Sequence, residues 1–177
     1  MMKHQHSLSI ANAVGFQVVW FLCVLGNDLI ALAAAVLLCL CHQIWIMKHS
    51  REWWLVIGFS LIGIMADSIL QMLGIIQFNG EINISSSITL IPIWMMCLWC
   101  TFSTTLTHGL FWLHGRFLLA SLVGLIIVPA SYYAGLSISG SAAIDPVWMT
   151  LLSVGLLWSV LLPLGLYLVQ RWKLTNE

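Results

Sequence analysis

Charge is what this chain has least of. Only 7% of its 177 residues are Asp, Glu, Lys or Arg, and six basic residues balance six acidic ones. A soluble domain carries roughly 25% charged residues, and the 61% hydrophobic content here is more than a soluble core of this size can hide. With no basic excess, nothing is available to neutralise a phosphate backbone, which excludes nucleic acid as a partner. Cysteine is missing from the polar segments: Cys23, Cys39, Cys41, Cys97 and Cys100 all fall inside apolar runs. No loop pair is therefore offered to an oxidising compartment. Long polar segments are lacking too, so any chemistry is confined to a bilayer or its two faces.

What is present is a series of apolar runs about 20 residues long, the length that spans a bilayer as a helix. They cover 10–26, 29–47, 53–76, 88–112, 117–138 and 147–172. The expected fold is an all-α, single-domain bundle of six transmembrane helices over residues 1–177. Asn12 and Gln17 interrupt the first run, and Val24-Leu25-Gly26 is a poor cleavage site, so this run is expected to remain as a helix rather than leave as a signal peptide. Lys3, Lys48, Arg51, Arg116, Arg171 and Lys173 all fall on one side of such a bundle. By the bias of basic residues to the cytoplasm, both termini are expected inside, with Asn27-Asp28, Gln77 to Ser87 and Ser139 to Pro146 as the outer connections. Trp45, Trp53, Trp54, Trp112 and Trp172 cluster at the inner boundary, as an interfacial aromatic belt does.

The third run, Trp53 to Ile76, carries Asp67 and, one turn on, Gln71. A carboxylate at the centre of a membrane helix costs at least about 2.5 to 3.5 kcal/mol, so it needs a reason to be there. Asp67 is expected about 10 Å from the outer end at 1.5 Å per residue. Trp94, Tyr132 and Tyr133 reach a similar depth, which suggests an outer-half polar pocket lined by Asp67, Gln71, Trp94, Tyr132 and Tyr133. The plainer alternative is that Asp67 anchors a hydrogen-bond network that fixes helix packing.

The fourth run has its own stripe, Trp94, Leu98, Thr101, Thr105, His108 and Trp112, spaced three or four residues apart and so on one helix face. Hydroxyl bonding between helices is one reading; His108 as a proton acceptor, assisted by His114, is the other. Pro129 and Pro163 fall inside the fifth and sixth runs, where each frees a carbonyl and can kink its helix. Metal ligation is not expected: His4-x-His6 lies near the end of the chain, and Cys39-x-Cys41-His42 lacks a second cluster to complete a closed zinc site. Cys97-x-x-Cys100 has the spacing of a redox pair, but no loop cysteines are present to relay its electrons. No cofactor is implied. A weak internal similarity at a spacing of 61 residues relates Ser60 to Ile64 and Gly74 to Ser121 to Leu125 and Gly135, as a duplicated helix pair would.

Several of these residues together resemble a family pattern. Phe16-Gln17, Trp20-Phe21 and Cys23 to Gly26 in the first run, Asp67 in the third, Pro92-x-Trp94, Leu98-Trp99 and Thr105-Leu106 in the fourth, and Pro129-x-Ser131-Tyr132-Tyr133-Ala134-Gly135 in the fifth are similar to a bacterial inner-membrane family, domain of unknown function 2878. The resemblance covers nearly the whole chain and implies a small polytopic protein of the bacterial inner (cytoplasmic) membrane. It supplies no catalytic residues. The family pattern commonly has Ser-Leu where this chain has His108-Gly109-Leu110, which sets His108 apart as a local feature. Three functional classes follow: a protein that binds or moves a small amphipathic or lipid-derived molecule, with Asp67 as its polar contact; a membrane enzyme or accessory in fatty-acyl modification, with Asp67 or His108 in acid-base work; and an assembly subunit for a protein partner that the sequence does not identify.

Overall fold

A computed structural model of the protein describes residues 2–85 and 88–174, with side chains from residue 7 onward. Six α-helices dominate it: α1 (Met2–Leu25), α2 (Asp28–Cys41), α3 (Glu52–Met72), α4 (Ile93–Thr105), α5 (Phe117–Ser139) and α6 (Val147–Arg171). Helices α1, α3, α5 and α6, and α2 taken together with the π-helical turn that extends it to Ile46, are long and apolar enough to cross a membrane. Their outward faces carry bare apolar side chains such as Leu29, Trp54 and Leu118, a surface for which lipid is the fitting solvent. A helix satisfies most of its backbone polar groups within itself, as a bilayer demands. The chain is a multi-pass membrane protein.

The fourth expected span is corrected. Helix α4 has 13 residues, or roughly 20 Å at 1.5 Å per residue, against a hydrocarbon thickness of about 30 Å. At its start Pro92 is the N-cap, and Ile88, Thr89 and Leu90 before it, the first two β-branched, form a strand, β3 (Ile88–Leu90), paired antiparallel with β2 (Ile82–Ser85). At its end the chain leaves the helix after Thr105, with Leu110 N–H turning back to the Thr105 carbonyl at 2.8 Å and one 3-10 turn at Phe111–Leu113. Such irregular backbone is tolerated because α4 is enclosed by protein: Thr101, Ser103 and Thr104 are fully buried, and α1, α2 and α3 all pack against it.

The helices alternate in direction, so the two ends of the bundle differ. One, the hairpin end, holds the β2–β3 pair and a second short pair, β1 (Ile76–Gln77) with β4 (Ala142–Ala143). The expectation of an all-α fold thus misses two small two-stranded sheets. Asn27 Oδ1 accepts from Ile30 N–H at 3.0 Å and caps α2, while Asp28 Oδ1 accepts from Trp94 N–H at 3.2 Å. Asp28 therefore faces the positive ends of both α2 and α4. Gly140 ends α5 in the left-handed region, φ 71°, where a side chain is disfavoured.

The other, basic end gathers Lys48, Arg51, Arg116, Arg171 and Lys173 at the termini of α2, α3, α5 and α6; the Lys3, His4 and His6 side chains lie outside the described residues. Here Asn12 of α1 grips the frayed end of α4, donating to Thr104 Oγ1 at 3.3 Å and accepting from Gly109 N–H at 3.1 Å. Helix α2 does not stop at Cys41 but continues through one π-helical turn, His42–Ile46.

Helices α5 and α6 form the most extensive pair, and both run without interruption through Pro129 and Pro163. Small residues bring them close. A Cβ on Gly124 would lie 2.3 Å from the Trp158 carbonyl oxygen, and one on Gly155 would lie 2.7 Å from that of Leu125. Leu125 is four residues before Pro129, so its carbonyl is the one that proline leaves without a helical donor. Gly155 brings α6 up against it.

Candidate functional site

A cavity of about 350 Å³ opens between α1, α4, α5 and α6. Aromatic and aliphatic groups wall it: Phe16 and Trp20 from α1, Trp94 and Phe102 from α4, Val128 from α5 and Trp158 from α6. Gly135 leaves room at the wall, since a Cβ there would stand 3.6 Å from Trp20. The expected pocket was polar; the observed one is apolar with a few polar groups.

The main polar spot belongs to Asp67, which is 0% exposed and stands behind the cavity wall. Its Oδ2 accepts from Trp99 Nε1 at 2.7 Å and from Tyr132 OH at 2.8 Å, and Tyr132 OH accepts in turn from Trp158 Nε1 at 3.3 Å. Trp99 and Trp158 stack with ring centroids 4.8 Å apart. Trp99, Tyr132 and Trp158 all line the cavity, so the Asp67 charge or dipole is presented to it through them. Asp67 Oδ1 has no hydrogen-bond partner among the described residues.

Of the residues expected to line a polar pocket, Trp94 and Tyr132 line the cavity directly and Asp67 stands behind it. Gln71 and Tyr133 are not brought there. Gln71 Nε2 donates to the Leu90 carbonyl at 3.1 Å and ties α3 to the strand hairpin. Tyr133 is 53% exposed on the outside of the bundle, because adjacent helical residues point about 100° apart.

A second cluster lies at the basic end. The π-helical turn begins at His42, α3 begins at Glu52, and His108 follows the end of α4; one ligand atom from each lies within 4.8 Å of the others. Glu52 Oε2 is 2.9 Å from His108 Nε2, 3.5 Å from His42 Nε2 and 3.2 Å from the Thr107 hydroxyl that donates to it. Glu52 Oε1 accepts from Lys48 and His49 N–H at 3.1 and 3.3 Å. Sequence singles out His108 and notes His42, but Glu52 looks there like a loop charge between Arg51 and Trp53. Its one telling sign is being the only acid in an otherwise basic connection.

The remaining candidates separate from this cluster. His114 Nε2 donates to the Leu106 carbonyl at 2.7 Å, and burial holds its imidazole below the ordinary value, with His108 adding to the effect against that hydrogen bond. Cys100 sits beside Cys39 of α2, Sγ to Sγ 3.9 Å, and both are free thiols, as is Cys97. The thiol contact of Cys100 is thus with Cys39 on another helix, outside the Cys97-x-x-Cys100 spacing. Most hydroxyls of α4 bond within their own helix: Thr101 to the Cys97 carbonyl and Thr104 to that of Thr101.

The sequence profile described as "Protein of unknown function (DUF2878)" matches residues 9–164. The chain belongs to that family. No curated protein and no solved structure matches it. The stretch shared with the DUF2878 family contains every residue of the Asp67 network and all three members of the His42, Glu52 and His108 cluster. It ends within α6, before Arg171.

Proposed function

We propose that this DUF2878 protein is a bacterial inner-membrane protein that binds or moves a small amphipathic or lipid-derived molecule, holding its apolar part in the cavity between α1, α4, α5 and α6. The observation that carries this reading is the cavity itself, about 350 Å³ and walled by aromatic side chains. It falls within the size range of ligand sites, which are mostly apolar with a few placed polar groups. The polar end of the molecule meets Tyr132 OH, which is held by Asp67, and the Trp158 indole, which is held by Tyr132. The basic end, with five of the six basic residues described there, faces the cytoplasm. This puts both termini inside and the strand hairpins outside. The reading that six helices cross the bilayer counts α4 together with its irregular flanks as one passage.

The test is a photoactivatable diazirine fatty acid incorporated into vesicles with the purified protein, followed by mass mapping of the labelled peptides. Labelling should fall on the cavity-lining segments of α1 and α5 and be reduced at least about fivefold by Gly135→Leu, which fills the cavity without touching Asp67. Equal labelling of both proteins, or labelling confined to the outward faces, would overturn the reading.

A further inference from the structure

We propose that His42, Glu52 and His108 form a binding site for one divalent first-row transition-metal ion, distinct from the apolar cavity. Geometry is the first support. At bond lengths of about 2.0 to 2.2 Å, ligand atoms around one ion stand roughly 3 to 3.5 Å apart. The Glu52 Oε2 to imidazole distances of 2.9 and 3.5 Å fall in or next to that range. All three ligand atoms lie within 4.8 Å of one another, so a small rotation of the two rings closes the set.

The second support is an unexplained polar group. His42 is 1% exposed, and neither of its ring nitrogens has a hydrogen-bond partner among the described residues. A buried polar group without a partner costs about 1 to 3 kcal/mol, so an imidazole in this position needs something to bind. Its Nε2 points at Glu52 Oε2 but stops at 3.5 Å, beyond a good hydrogen bond. The π-helical turn starting at His42 widens the helix at this point, and such turns are frequent at functional sites.

The surroundings hold the carboxylate as metal sites require. Glu52 Oε1 is fixed by the two backbone N–H groups of Lys48 and His49, and Thr107 donates to Oε2. Outer contacts of this kind orient a ligand and keep it anionic. Two imidazoles with one carboxylate select a zinc-like or iron-like ion over magnesium or calcium, which prefer oxygen alone. Three protein ligands leave a position open for water or a substrate, the arrangement of catalytic rather than structural sites. His108, with its side chain 12% exposed, marks the side from which that position is reached.

The experiment uses full-length protein in detergent or nanodiscs, carrying an affinity tag without histidine. After chelator treatment it is titrated with Zn²⁺ by equilibrium dialysis and with Co²⁺ by visible absorption. We expect one equivalent of Zn²⁺ with dissociation constant below micromolar, and a Co²⁺ spectrum of nitrogen and oxygen coordination. Glu52→Gln and His108→Ala should each weaken Zn²⁺ at least about tenfold and abolish the Zn²⁺-induced rise in Tm, whereas His114→Gln should leave both unchanged. Should Glu52→Gln not fold, His108→Ala alone decides, because His108 is the most exposed of the three. Folded wild-type protein that binds no stoichiometric Zn²⁺, or variants that bind it as tightly as wild type, would show the cluster to be an ion pair only and overturn the proposal.

Discussion

Asp67 Oδ2 accepts from both Trp99 and Tyr132, while Oδ1 has no partner among the described residues, so the side chain is used as an acceptor at one oxygen only. An amide can supply that one oxygen. Asp67→Asn should therefore cost within about 1 kcal/mol, whereas Asp67→Leu strands the indole N–H and the phenol O–H in a dry interior at about 1 to 3 kcal/mol each. Unfolding of the purified protein in mixed micelles orders the two variants, and equal losses would contradict the network. His114 gives a pH prediction of its own. Its folded value lies below the ordinary value of about 6.5 because of burial, so on acidification the unfolded chain takes up this proton first. The stability His114 contributes is complete above about pH 6.5 and is lost as pH falls through that value towards the lower folded one. His114→Gln should flatten that limb of the stability profile, and an unchanged slope would show that another group sets it.

Among the helices, glycine distinguishes contact from empty space. A Cβ on Gly63 of α3 would lie 2.0 Å from the Trp99 ring, which is stacked on Trp158 and bonded to Asp67 and so has nowhere to go. Gly58, less than two turns away, meets nothing within 4 Å. Gly63→Ala should cost about 1 to 3 kcal/mol through overpacking, and Gly58→Ala should stabilise the helix by about 0.5 to 1 kcal/mol. Thermal unfolding of the pair checks the sign of each. Gly63 and Gly124, 61 residues apart, are both close-approach points, but Gly63 meets the Trp99 ring and Gly124 the Trp158 backbone, so their contacts add nothing to the internal similarity at that spacing. The long helices were legible from their apolar runs because a bilayer imposes length and composition directly. The true extent of α4 was not, because Ile88-Thr89-Leu90-Ile91 is as apolar as a helix start and only the hairpin partner makes it a strand. The π-helical turn at His42 leaves no periodic mark, and Glu52 reads as a solvated charge until the fold sets it between two histidines. Asp67 could be picked out because a lone acid in a membrane helix has few bland explanations, but its partner Trp99 was indistinguishable from any other apolar residue of its run.

For the molecule as a whole, the two ends and the cavity make separate claims. If the basic end is cytoplasmic, a cysteine placed at Glu81 in the hairpin end should react with a membrane-impermeant maleimide added to intact cells, and one placed at Arg51 should react only after permeabilisation. The reverse pattern would invert the topology, and with it the side from which the His42, Glu52 and His108 cluster is reached. The cavity claim extends to the cell. A protein that holds a lipid-derived molecule next to Tyr132 should leave a trace in the membrane it serves, and the trace should depend on the cavity rather than only on the presence of the chain. Comparing the lipids of the native host with the gene deleted, intact, or carrying Gly135→Leu or Asp67→Leu gives four arms. A shift in acyl-chain or headgroup composition shared by the deletion and Gly135→Leu ties the effect to the cavity, because Gly135 lines it and takes no part in the Asp67 network. A shift seen in the deletion and Asp67→Leu but not in Gly135→Leu would place the requirement in the buried network that holds the helices together. A lipidome unchanged in every arm, with each variant present at normal level in the membrane, would move the ligand out of the lipid class and leave a cavity of about 350 Å³ for a different apolar solute.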